Sequence, residues 1–339
     1  MAACQIYRHR GPRRRGPRVT NGWIILDKPL ALGSTQAVSA VKRNLREAGL
    51  GKVKVGHGGT LDPLATGVLP IALGEATKLA GRMLDATKEY AFTVQFGRET
   101  DTLDTEGAVI AESDRRPPFA AIAAVLDHFT GAIDQVPPAY SALKIDGRRA
   151  YDRARAGEDV AMASRRVTIH TLTFASERRD DGIAGTFATA GGRPDPYDPA
   201  APLELAESVT LLAKVSKGTY IRSLARDIAR ALGTYGHVTM LRRTRAGPFA
   251  EAQAISLDML NEIGKGAPLE RILLPVEAGL DDIPALSLSP DAAGAVRQGR
   301  KLSGLAEPDG TYWAKSGETP VALIEVADGE ARVLRGFNL

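Results

Sequence analysis

The chain has almost no cysteine. Cys4 is the only one in 339 residues, which excludes an internal disulfide framework and any cysteine-based metal cluster. A single thiol fits a reducing compartment, so the cytoplasm is the expected location. Long apolar runs are missing as well. Stretches such as Gly67 to Gly74 are short and broken by Pro or Gly, and none approaches the roughly 18 apolar residues of a membrane span. No membrane association is expected. The five histidines (His9, His57, His128, His170, His237) show no metal-ligand spacing. No G-x-x-x-x-G-K-[ST] phosphate loop and no G-x-S-x-G nucleophile elbow occurs. Asp101, Asp104 and Glu106 miss the alternate-position spacing of a calcium loop. The reaction, if there is one, is expected to need neither metal nor cofactor.

What is present is an ordinary globular composition. Apolar residues make up 44% and charged residues 25%, enough for a substantial core, and the length suits one large and one small domain. The net charge of +4 is unevenly placed. Residues 1–20 carry six arginines and no acid; without them, 38 basic residues face 40 acidic ones, a net of −2. Gly11, Pro12, Gly16 and Pro17 interrupt this arm, so it should be disordered rather than an amphipathic helix. It reads as an electrostatic tether for a polyanion, the alternatives being a solvated tail or a cleaved targeting segment.

Gly22 to Leu26 (GWIIL) reads as a buried strand. Val38, Val41, Leu45 and Ala48 recur at helical spacing over Ser34 to Ala48, with Gly49 as a stop. Tyr90, Phe92, Val94 and Phe96 alternate with Ala91, Thr93 and Gln95, a half-buried strand. Residues 119–130 look helical, and 167–174 and 208–216 look like strands flanking a Pro/Gly/Asp-rich loop around Gly191 to Pro202. Thr219 to Leu232 is a helix with an apolar stripe of Ile221, Leu224, Ala225, Ile228 and Leu232, closed by Gly233. Three arginines, Arg222, Arg226 and Arg230, line another face. The fold class expected is α+β, a mixed and largely antiparallel central sheet with flanking helices. Short strand-like runs at Thr311 to Ala314, Val321 to Val326 and Ala331 to Leu334 predict a small C-terminal β-rich module. The division is thus a basic arm (1–20), a large domain (21–282) and the small module (283–339).

Two regions could carry chemistry. In GHGGTLDPLATG, residues 56–67, three glycines in four residues allow close backbone approach, and Asp62 precedes a proline that keeps it out of helix. A carboxylate on such a loop is either a reactive group or simply an Asx turn. The second region, Lys214 to Arg245, holds eight basic residues against one acid, Asp227. A helix bearing Arg222, Arg226 and Arg230, beside Lys217, Arg242, Arg243 and Arg245, reads as a phosphate-binding surface, the alternative being a solvated face.

These segments resemble, in order, the TruB family of tRNA pseudouridine synthases. Gly22 to Pro29 (GWIILDKP) matches the family's G-x-x-x-x-D-K-P start, and Gly56 to Pro70 its catalytic loop. Lys88-Glu89-Tyr90, then Gly97, Thr100-Asp101-Thr102, Asp104 and Gly107, match its next segment. Gln135 to Gly147, Lys217 to Arg222 (KGTYIR) and Leu241-Arg242-Arg243 complete the set. Leu288-Ser289-Pro290 and Gly299-Arg300 resemble the PUA-type RNA-binding module of bacterial members.

The resemblance implies the pseudouridine synthase fold, and Asp62 as the essential catalytic aspartate. It implies that Tyr90 stacks on the target uracil, that Arg222 pairs with Asp62, and that Tyr220 and Leu241 line the pocket. His57 would contact the flipped nucleotide. From the charge pattern, Lys217, Arg226, Arg230, Arg242 and Arg243 are the residues expected to meet the RNA backbone. The implied substrate is tRNA at the T-loop uridine conventionally numbered 55, with no cofactor, no metal, no obligate protein partner and a monomeric enzyme. One departure stands out: the family has K-P-x-G-x-[ST], whereas Leu30, Ala31 and Leu32 here separate Pro29 from Gly33. That leaves the geometry of this loop open.

Pseudouridine formation breaks the C1′–N1 bond of uridine, turns the base and rejoins it through C5. Cleavage builds positive charge on the ribose, so one carboxylate beside the sugar suits it, as nucleophile or as base. The base must first be flipped from its stack, at a cost of a few kcal/mol. The rival readings are a guide-RNA-dependent relative and a catalytically idle RNA-binding protein.

Overall fold

The computed structural model describes residues 20–141, 143–145, 147–158, 162–175 and 204–339. All of the basic arm except Thr20, and the loop expected around 191–202, lie outside the described residues.

The GWIIL segment forms strand β1 (Gly22–Lys28). Its side chains alternate between two cores: Ile24 and Leu26 face one, Trp23 and Ile25 the other. Burial on both faces is why the run is continuously apolar rather than alternating. Helix α1 (Ser34–Glu47) buries Val38, Val41 and Leu45, the residues at helical spacing, and Gly49 adopts φ 74 just beyond its end. The chain then forms β2 (Val55–His57) and, after the Gly58–Leu64 loop, β3 (Ala65–Leu73).

Strand β4 (Lys88–Phe96) carries Phe92, Val94 and Phe96 inward. Residues 119–126 are helical and continue as a 3-10 turn to 129. Strands β5 (Gly131–Gln135), β6 (Arg165–Phe174), β7 (Ser208–Val215) and β8 (Gly236–Ala246) complete the main path. Among the described residues this sheet has nine strands, in the order β1-β3-β8-β4-β7-β6-β5, with β2 on β3 and the short Phe249–Ala250 strand on β8. Every pairing is antiparallel except β3 with β8. The fold is α+β, as the pattern predicts.

The parallel pairing of β3 with β8 brings Leu241, Arg242 and Arg243 beside Ala65, Thr66 and Gly67, and so lays a basic strand against the exit of the Asp62 loop. Gly67 makes that possible. It has φ 100, and a Cβ there would lie 2.2 Å from the Arg243 carbonyl oxygen, so only glycine lets the strands approach.

Helix α2 (Ile221–Ala231) packs its stripe of Ile221, Leu224, Ala225 and Ile228 into the core formed by Phe92, Val94, Leu211 and Ala213. A separate five-stranded sheet spans 285–336 and has its own core, including Leu286, Val296, Ala314, Val321 and Ile324. It joins the first unit through Phe337, which is buried with Trp23 and Ile25. The Asn338 N–H also donates to Glu75 (2.7 Å), and Lys78 Nζ donates to the Gly336 carbonyl (2.9 Å).

Candidate active site

Asp62 sits on the Gly58–Leu64 loop, which is held from three sides. Ser34 Oγ, at the start of α1, donates to the Leu61 carbonyl (2.9 Å) and accepts from the Leu61 N–H (2.8 Å). Lys28, at the end of β1, is fully buried, and its ammonium donates to the carbonyls of Pro29, Leu32 and Pro63 at 2.9, 2.7 and 3.2 Å. Burial, partly opposed by the nearby Asp62 charge, pushes its pKa down to about 8. Arg243 reaches from β8 to the carbonyls of Gly59 (3.3 Å), Thr60 (3.2 Å) and Val68 (2.7 Å). Cations thus hold backbone carbonyls on both sides of Asp62 and fix the carboxylate between them.

Arg222, in the first turn of α2, faces Asp62. Its Nη2 lies 2.8 Å from Asp62 Oδ2 and also donates to the Tyr140 carbonyl (2.9 Å). Its Nη1 donates to the Thr102 carbonyl (2.7 Å) and lies 3.2 Å from Asp104 Oδ2. Asp104 Oδ1 in turn accepts from Thr102 Oγ1 and the Glu106 N–H. The Arg222 side chain is 7% exposed and that of Asp62 is 40%. The ion pair is therefore sunk at its guanidinium end and open at its carboxylate end, as a group that must reach a substrate requires.

A cleft of about 90 Å³ opens beside the pair, lined by Asp62, Asp104 and Arg222 with Leu30, Leu64, Val238, Met240 and Leu241 among its walls. Of the pocket residues the sequence suggests, Leu241 lines this cleft, whereas Tyr90, Tyr220 and His57 do not. Tyr90 packs against the core that contains Leu61 and Leu241. Tyr220 immediately precedes α2, and its N–H and carbonyl are both bonded by the buried Gln135 side chain (2.8 and 3.1 Å). Burial raises the Tyr220 phenol, so it stays protonated at neutral pH, and Arg165 stacks over its ring at 5.9 Å. Burial, with Arg243 nearby, lowers the His57 imidazole, which is therefore neutral at pH 7; Gly59 N–H approaches its Nδ1 at 3.4 Å. Among the described residues, no three His, Cys, Asp or Glu side chains are grouped to hold a metal ion.

The basic region needs correction. Arg243 cannot contact an RNA backbone, because it is 1% exposed and occupied with the carbonyls of Gly59, Thr60 and Val68. The other arginines do not form a free cationic face either. Arg222 is paired as above, Arg226 with Asp227 (2.8 Å), and Arg230 with both oxygens of Glu99 (2.6 and 3.0 Å). Arg242 holds both oxygens of Asp27 (3.0 Å each) and also pairs with Glu251. Lys217 meets Asp85 (2.9 Å), but with both side chains about two-thirds exposed that pair is weak enough to exchange for phosphate. The acids that seem scarce along residues 214–245 arrive from other parts of the chain.

The altered loop after Pro29 is also settled. Ala31, two residues past Pro29 and at the place of the family's glycine in K-P-x-G, adopts φ 64. Its N–H donates to the Pro63 carbonyl (2.9 Å), while Gly33 becomes the N-cap of α1. The left-handed turn is kept without glycine, and Leu30 is carried on its tip. Lys28, Ser34 and Asp104 were the positioning residues that sequence reasoning missed. Lys28 and Asp104 stand inside quoted motifs, but nothing in a motif says which atom a side chain holds.

Comparison with known proteins follows the same lines. The profile of the TruB family pseudouridylate synthase N-terminal domain matches residues 46–190, and that of the tRNA pseudouridylate synthase B C-terminal domain matches 222–281. A protein named tRNA pseudouridine synthase B from Novosphingobium aromaticivorans is 65% identical over 321 residues, covering 95% of this chain and 98% of that one. Its namesake from Zymomonas mobilis is 57% identical over 318 residues, covering 94% and 96%. Among solved structures, a chain of an H/ACA ribonucleoprotein bound to a substrate RNA containing 2′-deoxyuridine superposes with a TM-score of 0.65 at 24% identity. That match covers 94% of this chain and 85% of the other, and the likeness is one of fold.

Proposed function

The chain belongs to the TruB family of pseudouridylate synthases, and on that premise we propose that it isomerises uridine to pseudouridine in tRNA, at the T-loop uridine numbered 55. The observation that carries the reading is the Asp62–Arg222 pair, sunk at the guanidinium and open at the carboxylate, on a loop clamped by Lys28, Ser34 and Arg243.

The chemistry asks little more than this. The flipped uridine presents its ribose to Asp62, which either attacks C1′ or removes a ribose proton as the C1′–N1 bond breaks. The detached uracil turns and C5 bonds to C1′ as the Asp62–C1′ bond breaks or, in the base route, as the ribose proton is returned; the C5 proton is then lost while N1 gains one. No redox change and no net group transfer occur. Arg222 holds the carboxylate in place throughout, and the buried contacts to Asp104, Thr102 and Tyr140 keep the guanidinium from following it. Leu241 forms part of the cleft wall, while Tyr90 stacks on the uracil and Tyr220, which keeps its proton, meets it from outside that cleft. Neutral His57 meets the flipped nucleotide as a hydrogen-bonding group rather than as a charge.

Residues 21–282 carry the catalysis, 283–339 act as a PUA-like RNA-binding unit, and the arginines of 1–20 tether the polyanion. Lys217 offers its exposed ammonium to the backbone of a folded tRNA, selected by shape. The enzyme acts as a monomer in the cytoplasm without a guide RNA; among the described residues no helix is long and apolar enough to cross a membrane. Pseudouridine mapping of total tRNA from cells lacking this chain tests the reading. Loss confined to the T-loop position supports it, and an unchanged map contradicts it.

A further inference from the structure

The cleft beside Asp62 has an apolar lip that the reaction as described leaves unused. Leu30 is 60% exposed and Met240 is 39% exposed, and both line the same cleft as Asp62 and Arg222. A large aliphatic side chain left in water is ordinary when isolated, but Leu30 is not casually placed. It sits on the turn whose next residue, Ala31, holds φ 64, a conformation unfavourable to any residue with a Cβ. That turn is fastened to the Asp62 loop twice over. The Ala31 N–H donates to the Pro63 carbonyl (2.9 Å), and Lys28 Nζ bridges the carbonyls of Leu32 and Pro63. The backbone thus accepts local strain and spends a buried ammonium to hold an exposed leucine at a fixed offset from the catalytic carboxylate. Met240 approaches from β8, beside the register shift between Val238 and Met240, where the irregular ladder changes how the strand presents its side chains.

We propose that Leu30 and Met240 are positioning residues for the flipped nucleotide: two aliphatic groups that close on it at the mouth of the Asp62 cleft and keep water from the carboxylate. The proposal rests on the pseudouridine synthase reading of this site. The occupant follows from the cleft itself, because Asp62, the group that acts on the nucleotide, lines the same cleft as both side chains. Apolar surface suits the flat face of a base or the carbon edge of a ribose, and its burial gains free energy only once the nucleotide has left its stack. The lip therefore raises the population of the flipped, water-free complex and adds little to the docking of the tRNA body. Water exclusion matters here, because a detached base whose ribose meets water leaves an abasic site.

The test is single-turnover pseudouridine formation on an unmodified tRNA transcript at saturating enzyme, with tRNA affinity measured separately by filter binding. The expected result is that L30S lowers the saturated rate roughly fivefold to tenfold. Its tRNA Kd and its melting temperature stay close to those of the wild type, because the side chain is mostly exposed. L30M recovers most of the rate, and M240T lowers it in the same direction as L30S. An L30S enzyme as fast as wild type overturns the proposal, and so does a loss explained by weaker tRNA binding alone. A wild-type chain that makes no pseudouridine overturns the functional reading and this proposal together, so the two failures are distinguishable.

Discussion

Asp104 Oδ2 lies 3.2 Å from Nη1 of Arg222, the guanidinium whose other nitrogen holds Asp62 at 2.8 Å. One buried arginine thus answers to two acids, of which only Asp62 is substantially exposed. In the proposed reaction Asp104 is the anchor and Asp62 the working end. Without that anchor only the carbonyls of Thr102 and Tyr140 hold the guanidinium, and the carboxylate shifts with it.

Asp104→Asn is therefore expected to lower the saturated single-turnover rate by roughly tenfold to a hundredfold, the scale on which misplacement of about an ångström acts. It should also cost about 1–3 kcal/mol of stability, because a buried charged hydrogen-bond partner is lost. Rapid-quench kinetics and urea unfolding on the same preparation read both effects. A full-speed enzyme would show that Arg222 needs no second acid.

Lys28 makes the reaction sensitive to alkali. Its pKa of about 8 means that the folded chain loses this proton well below the ordinary value of 10.5. A neutral amine has two hydrogens for the three carbonyls it now holds, so the Pro63 end of the Asp62 loop loosens. The rate is expected to fall as pH rises through about 8. Unfolding through this group is not the cause. Between about 8 and 10.5 the unfolded chain binds the proton that the folded chain has released, so this group's contribution to stability rises with pH over that window. K28R keeps its charge there and should lack the alkaline limb; a limb that persists in K28R assigns it to another group.

Ala31 stores strain that glycine would release. With φ 64 at this position, Ala31→Gly is expected to raise stability by about 1 kcal/mol, the αL penalty less the entropy that glycine adds to the unfolded chain. Urea midpoints at constant m-value measure it, and a lower midpoint would mean the turn is not strained.

Gly67 is the opposite case. A Cβ there would meet the Arg243 carbonyl oxygen at 2.2 Å with φ at 100, and the three nearest atoms are all Arg243 backbone. Gly67→Ala should cost roughly 2–4 kcal/mol and part β3 from β8, taking Arg243 away from the Asp62 loop. A variant of native stability would show that the two strands can separate without harm.

The periodic parts of the chain were readable in advance. GWIIL, the helix at Ser34, the Tyr90–Phe96 alternation and the stripe of α2 are local patterns, and each formed where its spacing put it. The pairing of Asp62 with Arg222 was legible only through the ordered motifs, since 160 residues separate the two. What stayed hidden was where the other charges find partners. The run of arginines on α2 looked unopposed because Glu99, the partner of Arg230, lies 131 residues away. Arg243 read as a surface cation because a strand pattern does not reveal that its neighbour is a loop whose Gly59 and Thr60 carbonyls it holds. The turn after Pro29 misled for a related reason: the left-handed position is set by the hydrogen bond from Ala31 to Pro63, and the nearest glycine in the sequence serves another purpose.

The most direct measurement compares the wild-type chain with Asp62→Asn on one unmodified tRNA transcript, following tRNA binding and pseudouridine formation together. Both proteins are expected to bind the tRNA with similar affinity; the wild type is expected to form pseudouridine in the T loop, and Asp62→Asn none. Pseudouridine formation by Asp62→Asn at the wild-type rate would contradict the catalytic role of Asp62.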